Sequence, residues 1–112
     1  MPLINLRTNI SNIQDADGLL KRLSAALASA TGKPEAYVMT LLEPGLPMTF
    51  AGSDDPCAYV EIKSIGSITP PEMSAQFCEL INASLGISKN RIYIGFNDVS
   101  ASDWGWDGRT FG

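Results

Sequence analysis

The sequence predicts an α/β chain of the two-layer α+β kind: two β-α-β units, one four-stranded sheet, and both helices on one face. Two stretches, residues 15–31 and 69–86, carry apolar side chains at three- and four-residue spacing, the mark of a helix with one buried face. Each stretch lies between short apolar runs of strand length. The halves also match in pattern: setting Leu19 on Met73, an offset of 54 (73 − 19), puts Leu23 on Phe77, Ala26 on Leu80, Leu27 on Ile81 and Gly32 on Gly86. Right-handed crossovers in both units place the two helices on the same side of the sheet.

The elements follow in order. Residues 3–6 form a short apolar strand, and "NISNIQDADG" then has the Asn, Ser and Asp density of a loop and helix cap. Leu19, Leu20, Leu23, Ala26, Leu27 and Ala30 make the apolar face of the first helix, which Gly32 closes. "YVMTLL", residues 37–42, reads as a mostly buried second strand. Residues 43–56 are turn-rich, with one short edge strand expected at 48–50. "CAYVEIKSI" is the third strand. The second helix opens with Thr69 as a cap, Pro in the first turn and Glu soon after. "RIYIGF" is the fourth strand. Because residues 37–42 are apolar on both sides, the face of the sheet without helices is expected to be an apolar association surface, and the chain to oligomerise through it.

A chain of 112 residues, 45% hydrophobic, is one domain spanning 1–112, able to bury roughly two-thirds of the surface its unfolded form exposes. The net charge of −4 and the lack of any Lys/Arg cluster argue against nucleic acid as a partner. No apolar run approaches the ~20 residues of a membrane span and no secretory leader pattern opens the chain, so a cytoplasmic protein is expected. Cys57 and Cys78 are expected to stay free. The absence of histidine excludes Ser-His-Asp and Cys-His catalysis and most zinc schemes. Acid-base chemistry needs another group.

Pro2 is the candidate. A proline at a strand start is ordinary, because it adds no donor to the ladder. It stands directly behind Met1, however, and a small second residue favours removal of the initiator. Pro2 would then be a free secondary amine, and a chain-terminal amine has an unperturbed pKa near 8.

At this point the chain resembles, over its whole length, the macrophage migration inhibitory factor family of the tautomerase superfamily. The resemblance rests on Pro2 after Met1, "ATGKP" at 30–34, "GSDDPCA" at 52–58, "SIG" at 64–66, "RIYI" at 91–94 and "GWDGRTF" at 105–111, in order and at matching spacing. It implies a homotrimer in which three sheets wrap into a barrel with helices outside. It implies keto-enol tautomerisation of phenylpyruvate-like 2-keto acids, with Pro2 as general base and no cofactor. Lys33 would hold the substrate carboxylate or developing enolate, with the Ile65 backbone N–H on the same carboxylate. Tyr93 would come from the neighbouring subunit, and Tyr37, Trp106 and Phe111 would wall an aromatic ring. On residues alone, Lys33 reads as a solvated loop lysine and Ile65, Tyr93 and the aromatics as packing.

The chain departs from the animal proteins at three places. Gly95 replaces a common asparagine, Val60 stands at the second cysteine of a Cys-x-x-Cys, so thiol-disulfide exchange is not expected, and Trp104 is bulkier than the usual aliphatic. Two alternatives stay open. One is a non-catalytic trimer that binds or signals through its surface, whose protein receptor the sequence does not identify. The other is a decarboxylase- or hydratase-type relative. Such relatives generally add an arginine pair near the base; the arginines here are Arg7, Arg22, Arg91 and Arg109, and Arg7, late in the first strand, is not obviously placed for that.

Overall fold

The computed structural model describes all 112 residues. Strands β1 (Leu3–Thr8), β2 (Met39–Glu43), β3 (Ala58–Ser64) and β4 (Ile92–Asp98) form one sheet in the order β2-β1-β3-β4. β1 pairs in parallel with β2 and β3 with β4, while β1 and β3 meet antiparallel at the centre. Helices α1 (Ala16–Thr31) and α2 (Pro70–Leu85) cover one face. The two β-α-β units and the helix layer are therefore as expected from the sequence.

The 54-residue offset carries through the backbone. It relates α1 to α2 end for end, the left-handed caps Gly32 (φ 67°) and Gly86 (φ 70°), and the 3-10 turns Glu35–Tyr37 and Lys89–Arg91. Leu19, Leu23 and Leu27 of α1 and Met73, Phe77 and Ile81 of α2 press on Ile4, Leu6, Val60 and Ile62, all essentially inaccessible. Burial of that kind stabilises by about 1.5–3 kcal/mol per large side chain. Asp15 caps α1 by accepting the Gly18 N–H at 3.1 Å. Thr69 stands at the same position of α2 but makes no side-chain capping bond; Pro70 leads that helix instead, having no N–H to satisfy.

Four local expectations change. Tyr37 and Val38 lie outside β2, because Pro34 starts a 3-10 turn whose N–H groups close back on Pro34 and Glu35. Nor is β2 mostly buried in the protomer: Met39 and Leu41 are 58% and 39% exposed. Residues 48–50 form no strand; only a bridge between Phe50 and Ser53 forms. The open face of the sheet is mixed rather than apolar. Alternation in β1 and β3 puts Asn5, Arg7, Glu61 and Lys63 there, and Glu43 of β2 accepts from both Asn5 Nδ2 and Arg7 Nε at 2.9 Å. The bond from Arg7, then that from Asn5, holds the Glu43 carboxyl below its ordinary value. No helix is long and apolar enough to cross a membrane, and both cysteines are free.

A hairpin that the sequence reading did not pick out closes the chain. β5 (Gly105–Trp106) and β6 (Arg109–Thr110) flank Asp107 and Gly108, both at positive φ (53° and 77°), the two-residue turn that Asp-Gly favours.

Candidate active site

The site is built at the head of β1. Pro2 is buried, and its carbonyl accepts the Met39 N–H at 3.1 Å, so the residue is locked into the ladder just where it needs no donor of its own. Around it opens a cleft of about 250 Å³, walled by Tyr37, Met39, Trp104, Trp106 and Phe111. A second cleft of about 330 Å³, lined by Lys33, Pro34, Ile65 and Ala101, adjoins it through the shared residues Met1, Tyr37 and Phe111. One end of the combined site is thus aromatic and the other carries a cation.

Local structure places each group. At the end of α1, Thr31 Oγ1 donates back to the Leu27 carbonyl at 2.7 Å, Gly32 turns left-handed, and Lys33 leaves the helix towards the cleft before the Pro34 turn delivers Tyr37. The hairpin projects Trp106, whose ring meets Tyr37 edge-on at 5.9 Å and stacks on Phe111 at 5.8 Å, under the Arg109 guanidinium at 5.7 Å. Phe111 returns because its N–H donates to the Trp104 carbonyl at 3.1 Å. Such aromatic pairs are worth about 0.5–1.5 kcal/mol beyond their buried area, enough to hold a partly exposed wall in shape.

Ile65 follows β3 in a turn held at two points from the end of β4. The Ser64 carbonyl accepts the Val99 N–H at 2.9 Å, and Asp98 Oδ1 accepts the Gly66 N–H at 2.9 Å. The Ile65 N–H itself takes no partner within the protomer.

The electrostatics favour a neutral amine here. With Met1 in place the terminal ammonium is pushed below its ordinary value of 8.0, first by burial and then by repulsion from Lys33. In that form the Pro2 nitrogen is an amide and not a base. Removal of Met1 moves the free amine one residue further in, to the buried Pro2.

Six of the seven residues singled out from the sequence therefore meet in one place: Pro2, Lys33, Tyr37, Ile65, Trp106 and Phe111. Tyr93 does not. It lies on the edge strand β4, 65% exposed, with its ring against Phe50 at 4.7 Å. The motifs around it hold each other, since Arg91 donates to the carbonyls of Phe50, Ser53, Asp55 and Pro56 at 2.9–3.2 Å. A Cβ at Gly95 would meet the Tyr59 hydroxyl at 3.4 Å, an ordinary van der Waals contact. Met39 and Ala101 were not foreseen as lining residues; for Met39 the only signal was its place in β2, one residue past the turn that sets Tyr37.

Comparison with known proteins agrees along the whole chain. The family model for macrophage migration inhibitory factor matches residues 1–112. The macrophage migration inhibitory factor of Meriones unguiculatus is 41% identical over 114 residues, covering 99% of both chains. The solved structure of a macrophage migration inhibitory factor homologue from Prochlorococcus marinus superposes with a TM-score of 0.95 at 50% identity, covering 98% of this chain and 99% of that one. That of the Trichinella spiralis factor gives 0.93 at 35% identity, covering 97% and 99%. With its proline-headed strand, its doubled β-α-β plan and these full-length matches, the chain belongs to the macrophage migration inhibitory factor family.

Proposed function

We propose that the chain is a cofactor-independent keto-enol tautomerase of phenylpyruvate-like 2-keto acids, acting through Pro2 once Met1 is removed. The observation that carries this reading is the position of Pro2: buried in the lining of an aromatic cleft that adjoins a second one lined by Lys33 and by Ile65, whose backbone N–H is unused. The substrate carboxylate pairs with Lys33 and the Ile65 N–H, and the aryl ring lies against Tyr37, Trp106 and Phe111. The Pro2 nitrogen takes a proton from C3, so the C–H bond breaks, an N–H bond forms and the electron pair moves into an enolate. The protonated nitrogen then delivers that proton to the oxygen. One base does both transfers, and no redox partner or metal is called for.

The proposed assembly is a homotrimer, in which Tyr93 reaches the cleft of a neighbouring protomer. Its exposure, its distance from its own cleft and the unsheltered face of the sheet support this. A cytoplasmic location fits the two free thiols.

Intact mass and a phenylpyruvate assay test the reading together. Processed chain lacking Met1 is active, and chain retaining Met1 is not. Pro2→Ala keeps a primary amine of altered placement and loses about 10²-fold in kcat/KM, the low end of what a positioned base supplies. An unchanged rate in Pro2→Ala overturns the mechanism. A second reading, a binding or signalling protein without catalysis, draws support from one observation: Met1, while attached, lines both clefts. Processed chain that is inactive across the pH range decides for it.

A further inference from the structure

Asp98 ends β4, is exposed, and faces no cation of its own; the one hydrogen bond it accepts comes from the Gly66 N–H at 2.9 Å. That contact falls on a turn under strain. Gly66 sits at φ 69° and Ser67 at φ 59°, and a non-glycine residue in the left-handed region costs on the order of 1 kcal/mol unless its surroundings hold it there. Ser64 gives no lateral help, because its Oγ is buried without a partner. Two bonds from the end of β4 therefore fix two successive peptide planes: Val99 N–H on the Ser64 carbonyl, and Asp98 on the Gly66 N–H.

The first of those planes contains the Ile65 N–H. In a trans peptide the carbonyl and the N–H point in opposite directions. The Ser64 carbonyl faces β4, so the Ile65 N–H faces the other way, towards β1 and the residues that lead into it, Met1 and Pro2. The second plane limits how far the first can tilt. We infer that Asp98 is a positioning residue: by pinning the turn at Gly66 it aims the Ile65 N–H into the cleft as the second donor, beside Lys33, for a substrate carboxylate. This rests on the reading of the cleft as a keto-acid site.

An anion near a site for anions would oppose binding if its charge mattered most. Asp98 is exposed, so its field is screened by water, while its hydrogen bond acts at contact. The acceptor oxygen matters and the charge does not. Asp98→Ala and Asp98→Asn separate the two, since only Asn keeps an oxygen for the Gly66 N–H. In the Met1-processed chain, Asp98→Ala raises KM for phenylpyruvate about 5–10-fold, the worth of roughly one hydrogen bond, with kcat little changed. Asp98→Asn restores a KM near that of the parent. Titration of ¹⁵N-labelled chain with phenylacetate, an unreactive carboxylate, shifts the Ile65 amide in the parent and in Asp98→Asn, and needs 5–10-fold more ligand in Asp98→Ala. An unchanged or lowered KM in Asp98→Ala, an Asp98→Asn that behaves like Asp98→Ala, or an Ile65 amide indifferent to phenylacetate overturns the inference. Absence of tautomerase activity in a parent chain whose Ile65 amide still responds sinks the catalytic reading alone.

Discussion

Lys33 has two effects on the chemistry proposed for Pro2, and they separate by pH. With Met1 attached the terminal amine is depressed by burial first and by Lys33 second; the Pro2 amine of the processed chain is expected to share that depression, so that its neutral form persists below pH 8 and the acid limb of kcat/KM falls below that value. Lys33→Ala removes the repulsion and leaves the burial. The limb then moves up towards 8 without reaching it, and KM rises because the carboxylate loses its ammonium; a pH–rate profile of the processed chain checks both. A limb that stays in place would locate the base elsewhere. The same depression means the folded chain holds fewer protons than the unfolded one between the lowered pKa and 8, so stability rises with pH across that window. Pro2, Lys33, Trp106 and Phe111 were singled out because each stands in a short motif, and Tyr37, outside those motifs, only through the resemblance as a whole. Asp98 was not, since the role inferred for it depends on a contact with Gly66, 32 residues away, that no local pattern announces.

The helices were read closely from periodicity because packing repeats every turn along one face. Strand β2 was misjudged at its start. An apolar Tyr-Val pair looks like strand, yet the preceding Pro-Glu-Ala closes a 3-10 turn that swings Tyr37 into the cleft. The hairpin that carries Trp106 had a signal in Asp107-Gly108, but two-residue strands are too short for alternation to register. The loop before β3 holds through one side chain: the Arg91 guanidinium spans four carbonyls and lies 5.4 Å from the Phe50 ring, which in turn meets Tyr93. Bonds from a charged donor are worth about 1.5–3 kcal/mol each when buried. Here they are partly exposed and loosen as a group, so Arg91→Ala is expected to cost roughly 2–3 kcal/mol in all. Lysine has no planar fork to serve four acceptors, so Arg91→Lys should recover little of it. Urea midpoints of the two variants at constant m-value measure this.

Two layers leave one side of the sheet open, and that side combines Met39, Leu41 and Tyr93 with the Asn5–Arg7–Glu43 network. Sequence showed that this face lacked a cover but overstated how greasy it is, because the non-alternating run in β2 drew attention from the polar residues of β1 and β3. Under the proposed assembly the face closes against two other copies. Leu41→Arg should break the trimer to single chains in sedimentation velocity and abolish turnover as Tyr93 leaves the neighbouring cleft; a monomer with full activity would remove Tyr93 from the site. The doubled plan also bears on why the proposed site has no counterpart in the second half of the chain. Shifted by 54, Pro2 falls on Pro56, Lys33 on Ile87 and Tyr37 on Arg91. The mirror position is sealed at every point: the Pro56 nitrogen is bonded within the chain, Ile87 is fully buried where a lysine would greet an anion, and Arg91 closes on the Pro56 carbonyl at 2.9 Å. Symmetry of the backbone is thus broken by two side chains and one chain end, and cutting the polypeptide open before Pro56 would create a second amine with no room for a guest.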